Sequence, residues 1–243
     1  VNHLRDVINN DGTGSSASKD QVGSVAGESD DFNTNNMDTA TNQVTGKIGK
    51  ALDMNEGSTI NERVCLEDRF SNAAQQTNCK GAGPIFDDPV SVRTVSLWYK
   101  ADDVESRQVL FEEGGESKGQ VIYLFEGEIF ACTTKWTSEC VSYTTTANEW
   151  HHVALVWAES ATSYLYHDGE EVATFIGKDN AQHDNASALG NIAGDTNMTL
   201  AGGSENRASY DDDGVIKYSF DGIIDEFRVR NAEHSADYIA TDY

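Results

Sequence analysis

The sequence predicts an all-β fold, an antiparallel sandwich of two sheets, and three observations predict it. Apolar runs are short, rich in Val, Ile, Phe and Tyr, and recur roughly every 8–14 residues between Gly, Asp and Asn. The stretch Asn148 to Phe175, NEWHHVALVWAESATSYLYHDGEEVATF, reads as two strands joined by a turn, then a tight Asp168-Gly169 turn into a third. Only the tail, SADYIATDY, has the texture of a helix.

The elements follow in order. Residues 1–45 are mostly Asn, Asp, Ser, Thr and Gly. Val1, Leu4, Val7 and Ile8 supply an expected edge strand, and NNDGTGSSASKD is loop chemistry throughout. This part is expected to be a first strand plus a long polar excursion of one domain spanning 1–243, with a flexible leader as the alternative. GKIGKALDMN opens a strand, and STINERVCL continues as another. After a cysteine-flanked loop over 66–84 comes VRTVSLWYKADD, where Val95, Leu97 and Tyr99 alternate against Ser96, Trp98 and Lys100. QVLFEEGG, QVIYLFEGEIFACTT and CVSYTTT follow. In the next segment Trp150, Val153, Leu155 and Trp157 are expected to face the core. NMTLAGG and VIKYSFDGIIDEFRVRN complete the strands, with Phe220-Asp221-Gly222 as a turn, Ile223, Phe227 and Val229 buried, and Arg228 and Arg230 outward or paired with acids.

Composition narrows the function. Asp and Glu outnumber Lys and Arg by 41 to 17, a formal charge of −24, which repels a phosphate backbone and excludes nucleic acid as a partner. No apolar run approaches the roughly 20 residues of a membrane span, so no membrane insertion is expected. The chain opens at Val1 without Met or a signal-like stretch, which predicts a processed protein or an excised fragment. Of three possible connectivities for Cys65, Cys79, Cys132 and Cys140, sequence proximity favours Cys65–Cys79 and Cys132–Cys140. The second pair flanks TTKWTSE and would staple a hairpin. Two disulfides imply a secreted or surface-displayed, extracytoplasmic location; the alternative is four packed thiols. Asn185-Ala-Ser and Asn197-Met-Thr match the N-glycosylation pattern.

The order GKIGKALDM, TVSLWYKAD, VLFEEGG, NEWHHVALVW, LYHDGEEVA, SFDGIIDEFRVRNAEHSADYI resembles the laminin-G-like, concanavalin-A-like jelly-roll superfamily of bacterial surface proteins, over about 46–243. The resemblance implies two antiparallel sheets of six or seven strands. It also implies a structural calcium ion held by Asp225 with main-chain carbonyls, the alternative being an Asp that caps a turn. Pentraxin-like relatives hold a ligand-binding calcium where this chain has Glu205, Asn206 and Asp211 to Asp213. Lys118 stands where the other half of that site would need an acid.

The remaining candidates concern chemistry. Retaining glycoside hydrolysis needs two carboxylates about 5–5.5 Å apart. The nearest pairings are Glu126 with Glu128, read as one strand face, and Glu112-Glu113 with Glu116, read as a Gly-rich turn; neither matches the spacing of the family's hydrolases. His151 and His152 are adjacent in a strand and point to opposite faces, so they cannot share a metal. Trp136, on the Cys132–Cys140 loop, is the expected sugar platform, with Tyr143 and Tyr210 behind it. The expected function is non-catalytic recognition of a glycan or a protein surface, with possible calcium assistance. The alternative from another class is a subunit of an extracellular assembly, and a glycoside hydrolase is a distant third.

Overall fold

The computed structural model describes residues 9–10, 15–19, 31–35, 43–54, 63–65, 92–115, 118–135, 137–158, 162–176, 199–200 and 220–243. The strands in chain order are β1 (Asn9–Asn10), β2 (Ser15–Lys19), β3 (Asp31–Asn35), β4 (Gln43–Thr45), β5 (Lys50–Met54), β6 (Arg63–Cys65), β7 (Arg93–Ala101) and β8 (Gln108–Gly115). They continue with β9 (Lys118–Phe125), β10 (Glu128–Lys135), β11 (Thr137–Thr144), β12 (His151–Trp157), β13 (Thr162–His167), β14 (Glu170–Ile176), β15 (Thr199–Leu200) and β16 (Gly222–Arg230), and the chain ends in helix α1 (Ala236–Asp242). One sheet has nine strands in the order β1-β2-β3-β6-β15-β8-β9-β10-β11, and the other has seven in the order β14-β13-β12-β7-β16-β5-β4. All the pairings are antiparallel. The sandwich is as expected. The nine-stranded sheet exceeds the six or seven strands the resemblance implies, because the polar leader contributes strands. NNDGTGSSASKD is not loop throughout: Ser15–Lys19 forms β2 and pairs with β3.

The core lies between the sheets. Val95, Leu97, Tyr99, Val153, Leu155 and Leu165 face Leu110, Phe111, Ile122, Leu124, Ile129 and Ala131, all buried. Burying a side chain of this size contributes roughly 1.5–3 kcal/mol, which is why short Val/Ile/Phe runs suffice to align the sheets. Alternation fails along β12, where every residue is buried. The second face is covered as well: Ala154, Val156 and Tyr166 on the outer face of the seven-stranded sheet pack against Ile239 of α1. Ser235 caps that helix, its hydroxyl accepting from the Tyr238 amide. Trp150 is only half-buried and precedes the strand, so the strand opens at His151.

A bulge moves the register of β16. Between Asp225 and Arg228 the pairing with β7 shifts, and Glu226 has φ 48°. Ile224 and Phe227 are therefore the buried pair, while Ile223 and Val229, expected inside, are half-buried. Gly222, with φ 141°, leads into the strand against the Lys100 carbonyl, where no Cβ fits. Buried Gln108 ties this turn to β8: its Oε1 accepts from the Asp221 amide at 2.9 Å.

Candidate functional site

The outer face of the nine-stranded sheet carries an aromatic patch. Glu126 (φ 51°) and Gly127 (φ 75°) form the turn between β9 and β10, with both residues in the left-handed conformation that suits a two-residue hairpin. This turn sets Tyr123 opposite Phe130, and their rings stack with centroids 4.7 Å apart and planes 10° from parallel. Phe125 packs against the same cluster, and the Arg107 guanidinium lies 4.5 Å from the centre of its ring. Beside the rings, the Ser142 hydroxyl donates to Glu128 at 3.2 Å. Tyr123 is itself buried, while Phe125, Phe130, Arg107, Glu128 and Ser142 are half-buried, so two of the three rings and the polar groups are partly open to solvent.

The hairpin of β10 and β11 is stapled as expected. Cys132 and Cys140 are direct register partners on this face and are joined by a disulfide. Lys135 pairs with Thr137 at the end of the hairpin. Trp136, between them in sequence, lies outside the described residues, as do Tyr210, Glu205, Asn206, Asp211, Asp213 and Cys79; of Cys65 only the strand backbone is described. Asn185 and Asn197 also fall outside.

Two readings of carboxylates change. Glu126 belongs to the turn, not to a strand, so it shares no strand face with Glu128. Glu112 and Glu113 lie within β8, paired with Val121 and Gln120, not in a turn.

Asp225 is wholly buried and caps a turn. Its Oδ2 accepts from the Ile48 amide at 2.8 Å and its Oδ1 from the Glu226 amide at 2.9 Å, with the Lys47 amide also donating. Burial pushes its pKa up, against these amides, which pull it down. Gly46 lies so close that a Cβ there would overlap the carboxylate. Calcium takes oxygen donors, and the described groups that meet Asp225 are N–H donors, the arrangement of a turn cap.

The two histidines do face opposite ways. His152, on the outer face, packs on Trp98 (5.4 Å between ring centres) and near Tyr243 of the C-terminal segment (6.3 Å). Burial drives its pKa down to about 4. The unfolded chain therefore binds this proton near pH 6.5 and the folded one does not, so His152 weakens the fold as pH falls from about 6.5 to about 4, by roughly 3 kcal/mol. Following the ring by NMR should give a midpoint near 4. A midpoint near 6.5 would contradict the buried neutral imidazole.

His151 points inward at one end of the sandwich, beside Tyr99, and meets His167 and Asp168 of the next strand and its turn. Its Nδ1 lies 2.8 Å from Asp168 Oδ2, and His167 Nδ1 lies 3.5 Å from the same oxygen. The β12–β13 register places Asp168 beside His152, whose amide donates to Oδ1 at 2.8 Å. Tyr143, which is 41% exposed, lies at this mouth with its ring 5.4 Å from His167, not on the aromatic face.

The profile of the concanavalin A-like lectin/glucanases superfamily matches residues 84–240, and the chain belongs to this family. No curated protein matches it. Among solved structures it is similar to the CBM40 of a Ruminococcus gnavus IT-sialidase bound to α2,3 sialyllactose, with 19% identity and a TM-score of 0.56 over 79% of this chain and 95% of that one. It is also similar to the botulinum neurotoxin serotype D/C binding domain (11% identity, TM-score 0.53, 82% of this chain and 44% of that one). A third, described in connection with cell entry of botulinum neurotoxin type C through two ganglioside molecules, shows 10% identity and a TM-score of 0.52, over 82% and 43% of the respective chains. At these identities the likeness is one of fold.

Proposed function

We propose that this domain is a non-catalytic glycan-recognition module that works outside the cytoplasm and binds through the outer face of the nine-stranded sheet. The observation that carries it is the pair of half-buried rings Phe125 and Phe130, with Tyr123 buried beneath Phe130 as its stacking partner and Arg107, Glu128 and Ser142 around them. Flat rings take the apolar faces of a sugar, and a few polar groups at the rim fix its hydroxyls, as in small-molecule sites generally. A rigid sheet backed by a disulfide lowers the ordering cost of binding. Trp136 and Tyr210 belong to the same proposal as further stacking surfaces, and Tyr143 as a contact at the neighbouring mouth. The sialyllactose bound by the sialidase module and the gangliosides on which the neurotoxin's cell entry depends support the class of ligand. The Cys132–Cys140 bridge supports an oxidising compartment. Calcium assistance is a separate proposal that rests on Glu205, Asn206, Asp211 and Asp213.

The assembly-subunit reading needs an edge strand open to a neighbouring chain. The edge strand β14 begins with two exposed acids, Glu170 and Glu171, a pattern that discourages edge pairing.

A glycan array with and without calcium tests the proposal. The wild type should bind at least one glycan class, and Phe130→Ala should weaken that binding at least about tenfold with the far-ultraviolet circular dichroism of the folded sandwich retained. Equal binding by both proteins would move the site elsewhere, and no binding to any glycan would favour the structural alternative.

A further inference from the structure

We propose that His151, His167 and Asp168 form a site for a divalent transition-metal ion of the zinc class, at the mouth beside Tyr143 and off the outer face where the Phe125 and Phe130 rings lie. One ligand atom from each residue lies within 4.8 Å of the others. Both Nδ1 atoms converge on Asp168 Oδ2, at 2.8 and 3.5 Å. Two ligands of a tetrahedral zinc ion, each about 2.0–2.1 Å from the metal, lie about 3.3 Å apart; the two histidine–Asp168 separations bracket that edge, and with the ligand atoms spanning up to 4.8 Å the two imidazoles close on the ion as it binds.

The hydrogen bonds around His151 call for a cation at this point. The Thr146 hydroxyl has one proton and donates it to Glu149 Oε2 at 2.9 Å. Its oxygen is therefore the acceptor for His151 Nε2, 2.9 Å away, and Nε2 carries the hydrogen. In the neutral ring Nδ1 then presents a lone pair to a carboxylate oxygen 2.8 Å away. That contact is repulsive unless a proton or a metal ion lies between them. His167 brings a second Nδ1 to the same oxygen, and its Nε2 bonds the Tyr99 hydroxyl at 3.1 Å, which in turn meets Thr145 at 2.7 Å. A metal-binding imidazole donates its remote N–H to an oxygen acceptor, and here hydroxyl oxygens occupy that position on both rings.

The site is preorganised and accessible. Asp168 sits in the left-handed turn with Gly169 (φ 50° and 80°), and its Oδ1 is held by the His152 amide, which aims Oδ2 at both rings. Its side chain is 32% exposed, so an ion can enter from the mouth beside Tyr143. Two imidazoles and one carboxylate suit zinc, copper or nickel, and not calcium. Three protein ligands leave a fourth position for water.

The test is calorimetric titration of the chelator-treated protein with zinc chloride, followed by cobalt chloride with optical detection. The wild type should bind one zinc, and cobalt should give the absorption of a tetrahedral N/O site. His167→Val, an apolar side chain in a core-facing strand position, and His151→Gln should each weaken zinc binding at least about tenfold, with far-ultraviolet circular dichroism unchanged. His234→Ala, outside the cluster, should bind like the wild type. As a check that needs no substitution, zinc should shift the ring nitrogens of His151 and His167 into the Nδ1-bound, Nε2–H pattern in a ¹⁵N spectrum. Absence of zinc binding, equal binding by all three variants, or unshifted ring nitrogens at saturation would overturn the proposal.

Discussion

Arg228→Ala should destabilise the domain by about 3–5 kcal/mol, the scale expected when one partner of a buried ionic group is removed. One guanidinium nitrogen donates to Glu226 Oε2 at 2.8 Å and the other to Asp242. Arg228 is 12% exposed and Glu226 only 1%. Glu226 is fixed in place by the bulge in β16, so it cannot swing into water when the cation is lost. Asp242 ends α1 with no basic residue in the last turn, where the helix dipole disfavours a negative charge. Arg228 offsets that and holds the helix on the sheet, where Tyr243 stacks on Trp98 at 5.2 Å and Ile239 fills the gap over Ala154 and Val156. Urea denaturation measures the loss, and near-ultraviolet circular dichroism reports the Trp98–Tyr243 stack. A loss under about 1 kcal/mol would place the cluster with ordinary surface pairs and contradict this reading.

Asp225→Ala should cost about 2–4 kcal/mol, because the Ile48 and Glu226 amides lose their acceptor in a buried place. Asp225→Asn should cost less. It keeps one carbonyl acceptor and removes a charge that burial opposes. The sign follows from the raised pKa: ionised Asp225 disfavours the fold at neutral pH, and that penalty fades as pH falls through its folded value. Adding calcium to chelator-treated protein should shift the melting midpoints of the wild type and Asp225→Asn equally. A calcium-dependent rise confined to the wild type would show that an ion and not the turn is what Asp225 holds.

Much of the sandwich was legible because its signals are local. Asp168-Gly169 marked a hairpin, and HHVALVW, TSYLYH and EEVATFI around it became β12, β13 and β14. The Cys132–Cys140 staple followed from two strands close in sequence. What could not be read depends on partners far along the chain. Burial on both faces of β12 comes from α1, some 80 residues later. The bulge at Glu226 moved burial from Ile223 to Ile224, and no residue pattern announces a bulge. The His151–His167–Asp168 cluster was missed for a similar reason. Adjacent histidines drew attention to each other, but the partner of His151 sits on the next strand. Finding it requires the β12–β13 register, which is set by the loop between them. The Tyr123–Phe130 platform hung on reading Glu126-Gly127 as a turn; taken as one continuous strand, the two rings never face each other.

The most direct test of glycan recognition on this face is a titration of ¹⁵N-labelled protein with the glycan class selected on the array, followed by amide shifts. The largest shifts should fall on Tyr123, Phe125, Phe130 and Ser142, with the Arg107 side chain responding. Saturable binding whose shifts leave β9 and β10 untouched would contradict the site, and an absence of shifts with every glycan class would contradict the function.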